Sequence, residues 1–118
     1  MELLSSTQSR PVTVLLVDDD ALVRSALRLI LGGDPGITVV GEAADGLEGV
    51  ALVGSLHPDV VLMDIRMPRL DGLAATERAL ALQPDLTVVV LTTFDTDDMV
   101  LSALRLGARG VLLKDTPP

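Results

Sequence analysis

The chain has 118 residues, 48% of them hydrophobic and only 1% aromatic, which is enough for one domain with an aliphatic core and too apolar for a disordered segment. It has no cysteine, so disulfides, thiolate nucleophiles and zinc-thiolate centres are excluded together. With 9 Lys and Arg against 17 Asp and Glu, its net charge of −8 disfavours nucleic-acid phosphates and anionic lipid as direct partners. No apolar run approaches the roughly 18 residues of a membrane span, and Met1 to Arg10 lacks a basic start followed by an apolar run, so a cytoplasmic protein is expected.

Residues 1–11, rich in Ser and Thr and ending at Pro11, read as a flexible N-terminal tail ahead of a domain over 12–118. Val12 to Val17 is a short, unbroken, β-branched apolar run of the kind a strand covered on both faces requires. Asp18-Asp19-Asp20 closes it, with Asp20 as a helix N-cap. Val23, Ala26, Leu27, Ile30 and Leu31 then recur at helical spacing until Gly32-Gly33. Ile37 to Val40 is the second strand, ending at Gly41. Asp45 with Glu48 caps a helix expected to turn Leu47, Val50 and Ala51 inward, and His57-Pro58 ends it. His57 reads as an exposed loop residue on the far edge of the sheet.

The third strand, Val60 to Met63, delivers Asp64, and Asp71 is placed to cap a helix from Gly72 to Leu82. Leu86 to Leu91 is the fourth strand and ends in Thr92. Asp95 to Asp98 opens a fourth helix, with both aspartates read as caps, Met99, Val100, Ala103 and Leu104 inward, and Gly107 as its left-handed stop. Gly110 to Leu113 is the fifth strand and runs into Lys114. Met63 and Met99 read as packing residues.

Five strands alternating with four helices through short connections predict an α/β, doubly wound, flavodoxin-like parallel sheet in the order 2-1-3-4-5. Such a sheet needs helices on both faces, and a last helix is missing. Either the chain was cut short or something else covers that surface.

The polar residues that close strands fall on one edge of this sheet: Asp18 and Asp19, Asp64, Thr92 and Lys114. The first and third strands meet at the switch point, which brings the acids together. Carboxylates ~5 Å apart repel by roughly 3 kcal/mol per pair at an effective dielectric near 20, so the cluster favours a cation. Oxygen-only ligands with room for water and phosphate suit Mg²⁺. A carboxylate nucleophile beside such a metal, with Lys114 as a phosphate grip and Thr92 as a donor, can form an acyl phosphate.

From Val12 to Lys114 this pattern resembles the receiver domain of bacterial two-component response regulators. The segments Leu91-Thr92-Thr93-Phe94-Asp95 and Val111-Leu112-Leu113-Lys114-Asp115 resemble the LuxR/NarL/FixJ type. The resemblance implies Asp64 as the phospho-acceptor and Asp18 and Asp19 as the acidic pair holding Mg²⁺. It also implies Arg66 as a metal ligand through its backbone carbonyl, Thr92 as the switch hydroxyl and Lys114 as the phosphate-gripping lysine.

It further implies a phosphoacceptor switch and not an enzyme, with a sensor histidine kinase as donor and a homodimer as the responding state. DNA would be bound only through a C-terminal helix-turn-helix domain absent from this chain. Two positions depart from the family: Val111 stands where an aromatic is usual, and Asp115 where many receivers have proline. Arg66 and Phe94 occupy side-chain positions that in the family affect how fast the phosphoryl group hydrolyses.

Two other readings stay open on the residues alone. Asp18-x-Asp20 could serve a Mg²⁺-dependent phosphohydrolase with its nucleophile on the first strand, although Ala21 does not continue that motif. The acidic pocket could also belong to an interaction module without turnover.

Overall fold

The computed structural model describes residues 10–67, 69–93 and 97–114. Residues 1–9 of the expected tail, with Pro68, Phe94, Asp95 and Asp115, lie outside them. The elements run β1 (Val12–Val17), α1 (Ala21–Gly32), β2 (Ile37–Ala43), α2 (Gly46–Leu56), β3 (Val60–Asp64), α3 (Gly72–Leu82), β4 (Thr87–Thr92), α4 (Asp97–Leu106) and β5 (Gly110–Leu113). All four strand pairings are parallel and the order is β2-β1-β3-β4-β5, the flavodoxin-like arrangement expected from the alternation.

The core is aliphatic and split by the sheet. On one side Leu15, Val17, Val61, Met63, Val88 and Val90 pack under α2, α3 and α4, which contribute Val53, Ala75, Ala79 and Ala103. On the other, Val14, Leu16, Leu62 and Leu91 are met from α1 by Leu27 and Leu31. Caps form where the sequence places them. Asp20 accepts from the Leu22 N–H at 2.9 Å, Asp45 from Glu48 at 2.9 Å and Asp71 from Ala74 at 2.9 Å. His57 closes α2 in the left-handed region at φ 49°, exposed, and Gly107 follows α4 at φ 117°.

Several expectations about faces and ends are corrected. β2 does not stop at Gly41 but continues to Ala43. Val14 pairs with Val39 and Leu15 with Gly41, so Val40 bulges out and the ladder resumes. In α2, Val50 packs against the core as expected, but Leu47 and Ala51 are exposed, and the fully buried positions are Gly46, Gly49 and Val53. A Cβ on Gly49 would stand 2.9 Å from Val17 Cγ1, so the helix sits too close to the sheet for a side chain there. Apolar periodicity overlooks glycine as an inward residue. In α4, Leu104 is exposed, and Asp98 lies inside the helix rather than capping it.

Ala26 and Ile30 of α1 are also exposed, Ile30 to 71%. They border an open apolar groove of about 280 Å³ shared with Val23, Leu27, Leu91, Leu112 and Leu113 and ending at Lys114. Among the described residues α1 is the only helix on that side of the sheet, so the β4 and β5 half of the face lies bare.

Candidate functional site

Every strand that ends at the site is held by a backbone hydrogen bond reaching just past its regular ladder. The Asp18 N–H donates to the Ala43 carbonyl at 3.0 Å, Ile65 to Leu91 at 3.2 Å and Lys114 to Thr92 at 2.8 Å. The side chains of Asp18, Asp64 and Lys114 are therefore fixed by the sheet and not by mobile loops. One carboxylate oxygen from each of Asp18, Asp19 and Asp64 lies within 4.8 Å of the other two. Asp18 is fully buried and Asp64 is 4% exposed, while Asp19 faces solvent and forms the open side of the pocket.

Lys114 bridges the two buried acids, its Nζ standing 3.1 Å from Asp18 Oδ2 and 3.3 Å from Asp64 Oδ1. The other oxygen of Asp18 accepts from the Asp20 N–H at 2.8 Å. Burial pushes the Asp64 carboxyl up to about 6 and the Asp18 charge adds to the rise, against Lys114 and the backbone N–H of Arg66, which favour the anion. Burial works to lower the Lys114 pKa, but its hydrogen bond to Asp18 and the charges of both acids outweigh that and raise it.

Two acids close enough to repel, one ammonium between them and a third acid at the mouth leave excess negative charge in a partly dry pocket. The donors are all oxygen, few and open on one side, which fits Mg²⁺ with retained waters; among the described residues no nitrogen or sulfur ligand joins them to favour zinc. Thr92 is buried at the end of β4, one residue past the Asp64–Leu91 pair of the ladder, and its carbonyl accepts from the Lys114 N–H. Arg66 lies two residues past Asp64, its backbone N–H on the Asp64 carboxylate and its side chain running out to Met99 Sδ at 3.6 Å. Asp20 stays on its helix as a cap. The first-strand acids required by the hydrolase reading, Asp18 and Asp20, are thus split between the pocket and the cap.

The supports around this pocket were not evident in the sequence. Arg24 donates to the Asp18 carbonyl at 2.5 Å and to Glu42 Oε1 at 3.0 Å, and Arg28 reaches Glu42 Oε2 at 2.6 Å, tying α1 to the end of β2. Arg24 and Arg28 at i and i+4 on one helix face were a signal for a shared acidic partner. Gly72 is required because a Cβ there would fall 2.0 Å from the Asp64 carbonyl oxygen. Arg69 pairs with Asp45 across two loops, a contact with no local sequence signature.

Among the described residues no helix is long and apolar enough to cross a membrane. The family described as response regulator receiver domain matches residues 14–118. The chain is 44% identical over 107 residues to the uncharacterized transcriptional regulatory protein YxjL of Bacillus subtilis (strain 168), covering 91% of this chain and 49% of that protein. It thus spans about half the length of the curated relatives it matches.

Among solved structures, the signal receiver domain of the putative response regulator NarL from Mycobacterium tuberculosis superposes with a TM-score of 0.85 at 34% identity, covering 92% of this chain and 87% of that one. The Borrelia burgdorferi CheX-CheY-BeF3-Mg+2 complex gives 0.87 at 25%, covering 95% and 84%. An acidic pocket at the switch point of a 2-1-3-4-5 sheet, a bridging lysine and a family match over nearly the whole fold lead to one placement: this chain belongs to the response regulator receiver domains, of the LuxR/NarL/FixJ type.

Proposed function

We propose that Asp64 is the phosphoryl acceptor of this receiver domain, over residues 12–118, and that Asp18, Asp19, Asp64 and the Arg66 carbonyl are the protein ligands of Mg²⁺. The observation that carries this reading is the Lys114 ammonium within 3.3 Å of both buried acids, beside a third acid open to solvent. Held by these ligands, Mg²⁺ would supply positive charge to offset the acids and the incoming phosphoryl oxygens.

An Asp64 carboxylate oxygen attacks phosphorus in line. The new P–O bond forms as the P–N bond to the kinase histidine breaks, and the departing electron pair stays on the imidazole nitrogen. Lys114 holds a phosphoryl oxygen in place of its present hold on the acids. The Thr92 hydroxyl donates to another and draws the end of β4 toward the site, biasing α4 and β5 between two arrangements. Val111 in β5 removes the aromatic partner of that movement.

The donor is a sensor histidine kinase and the responding state a homodimer; the bare strip of α1 and β5, with Leu22 80% and Leu29 81% exposed, supports association. DNA is reached through a helix-turn-helix domain outside this chain, in keeping with the transcriptional regulators among its relatives. The deciding experiment is labelling with acetyl phosphate, with and without Mg²⁺, in the native chain and in Asp64→Asn. Mg²⁺-dependent label on Asp64, absent from the variant, is the expected result. Label on Asp18 would favour the hydrolase reading, and no label at all an interaction module.

A further inference from the structure

The segment between Asp64 and α3 carries Arg66, and it is held down at one further place away from the acids. Arg69 sits in that segment in the left-handed region at φ 69°, where a Cβ is disfavoured and glycine is the usual occupant. Its guanidinium pairs with Asp45, a nearly buried carboxylate that also caps α2 through the Glu48 N–H. Next to Asp45, Gly46 lies so close to the segment that a Cβ would fall 2.0 Å from the Leu70 carbonyl oxygen. The far end is fixed by the Gly72 N–H on the Ile65 carbonyl at 2.7 Å.

We propose that the Arg69–Asp45 pair is a clasp that positions the backbone of Arg66 for Mg²⁺ and for Asp64, making Arg69 a positioning residue of the site. Arg69 is met by the charges of Asp45 and Glu48 and not by those of the pocket acids, and 66% of its side chain stays in solvent, so its action is on the course of the backbone. It stands three positions after Arg66, whose N–H meets the Asp64 carboxylate. An unfavourable φ at a residue with a side chain persists where surrounding contacts over-determine it, and here the guanidinium pair and the Gly46 contact do so. The inference rests on the Mg²⁺ reading above and adds to it a residue that touches neither metal nor phosphoryl group.

Charge gives the test its direction. Taking a cation away from the neighbourhood of a dication pocket strengthens Mg²⁺ binding through space, whereas losing a clasp weakens it. Mg²⁺ affinity is measured by titration calorimetry on native protein, Arg69→Gly, Arg69→Lys, Asp45→Asn and the Asp45→Asn/Arg69→Gly double variant, with urea unfolding of each. Asn at 45 keeps the cap acceptor and drops the charge.

The expected result is about 10-fold weaker Mg²⁺ binding in Arg69→Gly and in Asp45→Asn, the lower end of what outer partners of metal ligands cost. No further loss is expected in the double variant, and Arg69→Lys should recover part of the affinity. Arg69→Gly that is folded and binds Mg²⁺ as tightly as native protein, or more tightly, overturns the proposal. Should native protein itself bind no Mg²⁺, the metal reading fails on its own, and amide hydrogen exchange from Ile65 to Leu70 decides the clasp. Faster exchange in Arg69→Gly supports it, and unchanged exchange overturns it.

Discussion

Replacing Asp64 by Asn should stabilise the metal-free protein, and by an amount that depends on pH. In the folded chain the Asp64 carboxyl holds its proton up to about 6, against an ordinary value of 3.8, because burial and the Asp18 charge disfavour the anion. Folding is therefore unpenalised at pH ~3, where Asp64 is protonated in both states, and loses stability as pH rises from there through 6. A rise from 3.8 to about 6 corresponds to about 3 kcal/mol, and solvent entering past Asp19 screens this to ~1–3 kcal/mol.

Asn removes the ionisable group and with it the penalty. Thermal unfolding without Mg²⁺ should give a melting temperature about 4–12 °C higher for Asp64→Asn at pH 7.5, and equal values at pH ~3. With no Trp or Tyr in the chain, far-ultraviolet circular dichroism is the signal to follow. Asp45, held low chiefly by the Glu48 N–H, and Asp59, held low chiefly by the Thr13 N–H, lose their stabilisation as pH falls, but equally in both proteins, so the difference cancels them. Mg²⁺ should reverse the order, since an ion at 100 times its Kd adds about 3 kcal/mol to the protein that binds it. An Asp64→Asn protein no more stable than native at pH 7.5, or a gap that persists undiminished at pH ~3, would refute the account of strain in the acidic pocket.

Lys114→Met takes the cation from between Asp18 and Asp64 while keeping the apolar stem. It should cost ~2–4 kcal/mol at pH 7.5 in urea unfolding, recover below pH ~5, and push the Asp64 carboxyl above 6 in a carbon-13 titration. Asp20→Ala should cost about 1 kcal/mol through the lost cap at α1. Its Mg²⁺ affinity by calorimetry should change far less than that of Asp19→Ala, because Asp20 holds a helix end and Asp19 faces the pocket.

The sheet order and the convergence of Asp18, Asp64 and Lys114 were legible because β-branched runs and the residues closing them obey local rules with long-range consequences. Asp20, Asp45 and Asp71 could be read as caps for the same reason: a cap reports on the next three residues alone. The face of α2 was not legible, since Gly46 and Gly49 face inward through the absence of a side chain, which hydrophobic spacing cannot register. The exposure of Ile30 and Ala26 depends on which elements lie beside α1, and Arg69–Asp45 and Arg24–Glu42 join residues brought together only after the sheet has formed.

The unpaired Val40 has an effect on parity. Thr38 and Val40 belong to the side of the sheet under α2, and so do Gly41 and Ala43, because two successive residues share one side at the bulge. Glu42 is thereby returned to the same side as Ile37 and Val39, where Arg24 and Arg28 receive it. A ladder that kept all seven residues in strict alternation would send Glu42 among the aliphatic side chains under α2 and turn Ala43 toward α1. One irregular step thus decides that the acid reaches its two arginines.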